Sequence, residues 1–217
     1  MDMAPAAQDA EADGRSGEIL DRIKSVFSEK GFDGASMQDL AHAAGMSAGN
    51  FYRYFPSKSA IVEALAQRNL DAIETSFRIV TESDNPRESF QRLLREHILG
   101  KARDNAPIMA EICTASFRRP EIAALAEQME RHVAKYITHA LGRISGVAPD
   151  EAEELYAPQA RFIIFLVQGL QLKPRSGPAA ASRERMEELA NFSLKVIEAM
   201  VGALPDRRAS DGQVGES

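Results

Sequence analysis

Apolar residues recur at three- and four-residue steps along most of this chain and nowhere alternate long enough to specify a strand, so the pattern predicts helices throughout. Ile19, Leu20, Ile23, Val26 and Phe27 fall on one face of a first helix, and Gly31 is placed to end it by taking a left-handed conformation. Asn85-Pro86 reads as a cap followed by a first-position proline, with Glu88 in the opening turn of the helix it starts. Pro107, Pro120, Pro149 and Pro158 punctuate later segments in the same way, for about nine helices in all. The run Phe162-Ile-Ile-Phe-Leu-Val167 is short enough to be a buried strand. Pro158 ahead of it and the continuation through Leu170 and Leu172 argue instead for a helix apolar nearly all round, buried on both sides. Met186, Leu189, Ser193, Val196, Met200 and Leu204 continue the pattern in a last helix. The apolar faces of these two segments, residues 158–172 and 183–204, exceed what one subunit buries and predict a homodimer built mainly from them.

The stretch from Ser36 to Lys58 departs from this regularity. Ser36 with Asp39 three residues on is a capping-box start, Leu40, Ala41 and Ala44 supply a small packing face, and Gly45 suits the left-handed C′ position. Met46 then plugs the turn, while Ser47 caps a second, very short helix from Ala48 to Tyr54. Two helices joined by so tight a glycine turn have the geometry of a helix-turn-helix, which sets its second helix in the major groove of DNA. A tyrosine and phenylalanine cluster on a short helix is usually core, Asn50 alone would pass for a turn residue, and Lys58 for a solvated lysine. The joint spacing of Gly45, Ser47, Gly49, Tyr52, Phe55 and Lys58 is what generic helical packing does not require.

From Leu40 to Lys58 the chain reads Leu-Ala-x-x-Ala-Gly-Met-Ser-x-Gly-x-Phe-Tyr-x-Tyr-Phe-x-Ser-Lys, which resembles the DNA-binding signature of the TetR family. The likeness covers residues 15–65, and the remainder is similar only in being helical, acidic and closed by an apolar pair of helices. Ser36-Met37 and Asp21-Arg22 depart from the family's usual residues without removing a group needed for phosphate or base contact. The resemblance implies an all-α fold, with a three-helix helix-turn-helix DNA-binding domain at 14–60 and an effector-binding and dimerisation domain at 61–204. Composition adds disordered tails at 1–13 and 205–217. The implied function is a transcriptional repressor, no enzyme, released from a palindromic double-stranded operator by a small apolar or amphipathic ligand. The alternative is a DNA-binding or interaction module that needs no effector.

Carried onto matching positions, the resemblance assigns DNA contacts to Ser36, Ser47, Ala48, Gly49, Asn50, Tyr52, Tyr54 and Lys58. Ser36 and Ser47 present hydroxyls and backbone N–H groups to phosphate. Gly49 lets the short helix approach the groove, and Ala48 offers only a methyl. Asn50 is the base reader, since its amide pairs bidentately with adenine. Tyr52, Tyr54 and Lys58 resemble phosphate contacts, with Arg15 and Arg53 as further backbone contacts, whereas Phe51 and Phe55 belong to the core.

The formal net charge of −6 at first argues against a nucleic-acid partner, because neutralising phosphate takes Lys and Arg. Its distribution removes the objection: residues 14–58 carry about +1 and the remainder about −7. One cysteine excludes an internal disulfide and any Cys-rich zinc site. No run approaches the length of a membrane span, and Met1–Asp13 lacks the basic and apolar regions of a signal peptide, so the expected location is cytoplasmic.

Beyond Leu70 no glycine-rich phosphate loop, His-Glu-x-x-His or Gly-x-Ser-x-Gly is present, which leaves no catalytic constellation and no cofactor motif. His132 and His139 stand seven apart without a third ligand, so no metal is expected. Cys113 reads as a small buried hydrophobe, with a sensor thiol as the alternative. His97 shares a face with Phe90, Leu93 and Leu94 as a core or a pocket-lining histidine. Arg161 and Gln168 flank Phe165 as a polar stripe on an apolar helix, and buried polar groups need partners: a symmetry mate or the polar end of a ligand. By analogy with the family, the ligand-lining candidates are Phe90, His97, Met109, Cys113, Phe117, Tyr136, Phe162, Phe165 and Gln168.

Overall fold

The computed structural model describes residues 5–99, 106–172 and 179–205, where every regular element is an α-helix. In chain order these are α1 (Pro5–Gly34), α2 (Met37–Ala43), α3 (Ala48–Tyr54), α4 (Lys58–Glu82) and α5 (Pro86–Leu99). There follow α6 (Ala106–Ser116), α7 (Pro120–Ser145), α8 (Pro149–Leu155), α9 (Ala157–Leu172) and α10 (Ala179–Gly202). The expected all-helical class is therefore the observed one. Residues 1–4 and 206–217, parts of the two expected tails, lie outside the described residues. Residues 5–13 are helical and continuous with α1, where composition alone predicts a tail. A proline in the first helical position followed by alanines suits a helix start, and no glycine intervenes before Gly14.

The chain forms two compact units, Met1–Arg68 with Pro107–Ala126, and Asn69–Ala106 with Glu127–Ser217. This division differs from the boundary expected at residues 60 and 61. It falls inside α4 and inside α7, and it assigns α6 to the unit that holds the helix-turn-helix. The reason is burial. Ile112, Ala115 and Ile122 are buried in one core with Ile19, Leu20, Ile23 and Phe27 of α1, Leu40 of α2, Phe51 of α3 and Ile61, Val62 and Leu65 of α4. Each fully buried side chain of this size stabilises by roughly 1.5–3 kcal/mol relative to exposure. No local pattern in 14–60 reveals that its core needs residues fifty positions further on.

The second unit packs Phe77 and Val80 of α4, Phe90, Leu94 and Ile98 of α5, and Ile137, Leu141 and Ile144 of α7 with Ile163 and Ile164 of α9 and Leu194, Ile197 and Val201 of α10. Asn85 caps α5 as expected, its Oδ1 accepting from the Glu88 amide at 3.3 Å. Arg87 secures the far end of α10 by donating to the Val201 carbonyl at 2.6 Å. The α7–α8 corner is tight: a Cβ on Gly142 would stand 2.7 Å from the Ala152 Cβ and 2.9 Å from the Val147 carbonyl oxygen. Beside it, the buried Tyr156 hydroxyl donates to Ser145 Oγ at 2.7 Å.

The α9 helix has two faces rather than one continuous apolar surface. Ala160, Ile163 and Ile164 are buried, whereas Arg161, Phe162, Phe165, Gln168 and Gly169 face outward, Phe165 being 71% exposed. The expected burial of Arg161 and Gln168 therefore does not occur within the chain, and their polarity needs no internal partner. On α10, Leu189 and Phe192 also face solvent.

Candidate nucleic-acid interface

The first unit builds its short helices from local capping chemistry. Ser36 Oγ accepts from the Asp39 amide at 3.1 Å, and the Asp39 carboxylate takes the Ser36 amide at 2.9 Å and the Ser36 hydroxyl at 2.6 Å, a complete capping box. Lys30 adds an ion pair to Asp39 at 2.7 Å. The Lys30 ammonium first, then the Ser36 hydroxyl and amide, hold the Asp39 carboxyl well below the usual carboxylate range.

The α2 helix ends where Gly45 takes φ 69°, in the left-handed region where a Cβ is disfavoured. The Met46 amide reaches back to Ala41 and the Gly45 amide to His42, both at 2.9 Å, the hydrogen-bond pair of a Schellman turn. Arg22 of α1 donates to the Ala44 carbonyl at 3.3 Å and closes the same end. Met46 is half-buried against the core. The turn then delivers Ser47, whose hydroxyl caps α3 by accepting from the Asn50 amide at 3.4 Å.

The α3 helix is anchored on one side and open on the other. Phe51 and Phe55 are buried with ring centroids 5.7 Å apart. Ser47, Ala48, Gly49, Tyr52 and Arg53 are exposed, Tyr52 by 47%, while Asn50 and Tyr54 are half-buried. Ser36 is exposed at the start of α2. Lys58 differs from a free surface lysine: its ammonium donates to the Phe32 and Asp33 carbonyls at 2.8 and 3.3 Å and lies 5.0 Å from the Phe32 ring centroid. Two of its three donors are thus committed to the end of α1.

The ligand-lining candidates do not form one group. Phe90, fully buried, and Tyr136, half-buried, sit in the core of the second unit, each with its ring centroid 6.1 Å from that of Phe77. The Tyr136 hydroxyl donates to Glu74 at 2.9 Å, and burial first, then Glu74, raise its pKa above the ordinary tyrosine value. His97 faces Gln171 at 3.3 Å, and burial lowers its pKa, favouring neutral imidazole. Phe162, Phe165 and Gln168 are outward on α9. Met109, Cys113 and Phe117 belong to the first unit: Met109 packs on its core, Cys113 is half-buried, and Phe117 is 84% exposed. His139 is engaged by Glu153 at 2.8 Å, and no cluster of metal-ligating side chains occurs among the described residues. No helix among them is long and apolar enough to cross a membrane.

Sequence reasoning missed Gln171 as the partner of His97. It also missed Asp33, Arg118 and Arg119, which meet at the end of α1. Arg119 donates to Asp33 Oδ1 from Nη2 at 2.7 Å and from Nε at 3.2 Å, while Arg118 reaches Oδ2 at 3.1 Å. Asp33 is separated from the two arginines by about 85 positions, which no local pattern bridges.

A capped pair of short helices about a left-handed glycine, the second helix anchored by aromatics beneath and open above, defines a helix-turn-helix protein with a second helical unit attached. Residues 19–65 match the family of bacterial regulatory proteins, tetR family. The HTH-type transcriptional regulator UidR of Escherichia coli K12 is 27% identical over 123 residues, 55% of this chain and 60% of the relative. The HTH-type transcriptional repressor KstR2 of Mycobacterium tuberculosis is 35% identical over 80 residues, 36% of this chain and 40% of the relative. The chain thus spans less than two thirds of the curated relatives it matches. In fold it is similar to Salmonella enterica GusR, with a TM-score of 0.68 at 20% identity over 88% of this chain and 96% of that one. It is also similar to AibR, solved in complex with isovaleryl coenzyme A and operator DNA, with a TM-score of 0.59 at 18% identity over 84% and 97%. The helix-turn-helix segment, residues 19–65, is thus that of the tetR family of bacterial regulatory proteins, and the likeness to GusR and AibR extends the shared fold over most of the chain.

Proposed function

We propose that this chain is a transcriptional repressor that binds a palindromic duplex operator as a homodimer and is released by a small apolar or amphipathic effector. The observation that carries the operator reading is the open face of α3, where Ala48, Gly49 and Tyr52 are exposed and Asn50 is half-buried beside them, above the core that Phe51 and Phe55 anchor. Asn50 reads a base, and Ser36, Ser47, Tyr52, Tyr54 and the remaining donor of Lys58 hold phosphates. Selection of duplexes from a random-sequence library by the full chain tests this. Enrichment of an inverted repeat is expected, with half-sites centred roughly 34–36 Å or somewhat further apart. Enrichment of no sequence, or of a single half-site, refutes it.

The outward Phe162 and Phe165 of α9 and Leu189 and Phe192 of α10 support a dimer, because a monomer gains nothing from so much exposed aromatic surface. Phe165→Asp is expected to yield monomers by sedimentation. A wild-type chain that is monomeric at micromolar concentration refutes the assembly. The effector reading is supported by AibR, a protein of similar fold solved in complex with isovaleryl coenzyme A and operator DNA, and the aromatic and polar side chains of the second unit are the candidates to meet such a ligand. A thermal-shift screen of apolar and amphipathic compounds finds ligands of the folded state. An inducer must then bind more weakly with operator present, by the factor by which it weakens operator binding.

A further inference from the structure

We propose that Asp33, Arg118 and Arg119 form a clamp that positions the start of α4, and with it the reading helix α3, for operator binding; this rests on the operator reading above. The chain at the end of α1 is a separate helical turn, closed by the Ala35 amide on the Gly31 carbonyl at 3.1 Å. Gly31, at φ 71° and ψ 169°, kinks the helical backbone, so the turn of Phe32, Asp33 and Gly34 is set off from the body of α1 and its direction is open to side-chain contacts. Phe32 stacks on Phe27 with centroids 6.1 Å apart, and its ring lies beneath two cations, Lys58 at 5.0 Å and Arg119 at 5.1 Å. Both oxygens of the Asp33 carboxylate are occupied by Arg118 and Arg119. The carbonyls of Phe32 and Asp33 hold the Lys58 ammonium. Only Pro56 and Ser57 separate Lys58 from Phe55, the residue that ends α3.

Side chains from the α6–α7 corner therefore reach the reading helix in two steps, through Asp33 and then Lys58. Ile112, Ala115 and Ile122 fix that corner to the same core as Phe51 and Phe55. Exposed ion pairs of this kind contribute little to stability. Their use is geometric: a carboxylate held at both oxygens fixes where the two carbonyls point, and so where α4 begins. Arg118 and Arg119 lie outside the residues matched to the family, 19–65, and make the DNA-reading unit dependent on a distant segment.

The test exploits the sign of the charge. Asp33→Asn removes a negative charge from the operator-binding unit, which by electrostatics alone tightens DNA binding. If the clamp positions α3, the substitution instead weakens binding to the duplex selected by the wild-type full chain, roughly 2- to 30-fold. A scrambled duplex of the same length is then bound at least as tightly as by wild type. Arg118→Gln with Arg119→Gln is expected to lower the selected-to-scrambled ratio similarly, and combining it with Asp33→Asn to lower the ratio no further. Asp33→Glu is expected to recover part of the loss. Gly142→Ala, in the second unit, serves as a variant that loses stability without touching the clamp and is expected to keep the wild-type ratio. Tighter or unchanged binding of the selected duplex by Asp33→Asn overturns the proposal, as does an equal loss of ratio in Gly142→Ala. A wild-type chain that enriches no duplex refutes the operator reading itself, and the clamp falls with it.

Discussion

Replacing Gly49 with alanine is expected to move stability and function in opposite directions. Gly49 has no positive φ, and a Cβ built on it meets nothing within 4 Å. Nothing inside the chain requires a glycine there. Alanine restricts the unfolded chain and suits the helix better, which stabilises by about 0.4–1 kcal/mol. In a chain of this size that raises the melting midpoint by roughly 1–4 °C. The added methyl projects from the exposed stretch between Ala48 and Asn50, the part of α3 that the proposed operator reading sets in the groove. Holding α3 back by even one methyl lengthens the Asn50 contact, whose loss is worth about 1–3 kcal/mol, or roughly 5- to 150-fold in operator affinity. Differential scanning fluorimetry and fluorescence anisotropy with the selected duplex measure the two effects on one preparation. A variant that melts higher and binds as tightly as wild type would show that α3 does not approach DNA at Gly49. A variant that melts lower would show that the glycine serves the fold after all.

Gly45→Ala is expected to destabilise by about 1–2 kcal/mol, the cost of a left-handed alanine, since its Cβ would meet only Arg22 Nη1 at an ordinary 3.6 Å. A urea midpoint equal to wild type would contradict the conformational origin of that cost. Gly142→Ala is expected to lose about 1–3 kcal/mol for a different reason, overpacking against Ala152 and the Val147 carbonyl, with no change at the DNA-reading face. The capping box gives an acid limb to stability. Because the Asp39 pKa is depressed in the fold, its contribution is fully present above about pH 4 and is lost as the pH falls through the lowered value. Urea midpoints measured from neutral to acid pH should therefore fall more steeply for wild type than for Asp39→Asn, and parallel curves would remove Asp39 as the cause.

The helix-turn-helix was legible because each of its parts is specified by near neighbours. Ser36 and Asp39, Gly45 and Met46, and Ser47 and Asn50 all close within a few residues, so caps and turn can be read directly from residue types. The core role of Phe51 and Phe55 was also legible, and the structure buries both while Ala48 and Tyr52 are exposed. What local reading could not supply is what lies beneath that unit. Ile112, Ala115 and Ile122 carry an ordinary amphipathic pattern that says they are buried but not against what, and so the expected boundary at residues 60 and 61 divided a core that the fold keeps whole.

The same limit separates the two kinds of candidate residue. Apolarity at helical spacing selected Phe90, Met109, Phe117, Tyr136 and Phe165 alike, yet one is sealed in a core and another is 84% exposed, because a 3.6-residue period fixes a face and not its neighbour. Polar groups are more informative once the fold is known, since a buried one must be paired. His97 meets Gln171 and Tyr136 meets Glu74, whereas Arg161 and Gln168 are outward and find no burial within the chain, on the α9 face that also exposes Phe162 and Phe165. Lys58 carries this reasoning furthest. Its place after Tyr-x-Tyr-Phe-x-Ser assigns it to phosphate, but the fold gives two of its donors to the carbonyls of Phe32 and Asp33. Lys58→Ala is therefore expected to remove the proposed phosphate contact and to release the end of α1 together, giving a loss of sequence discrimination in addition to a smaller salt slope. A uniform loss on selected and scrambled duplexes would leave Lys58 with the phosphate role alone.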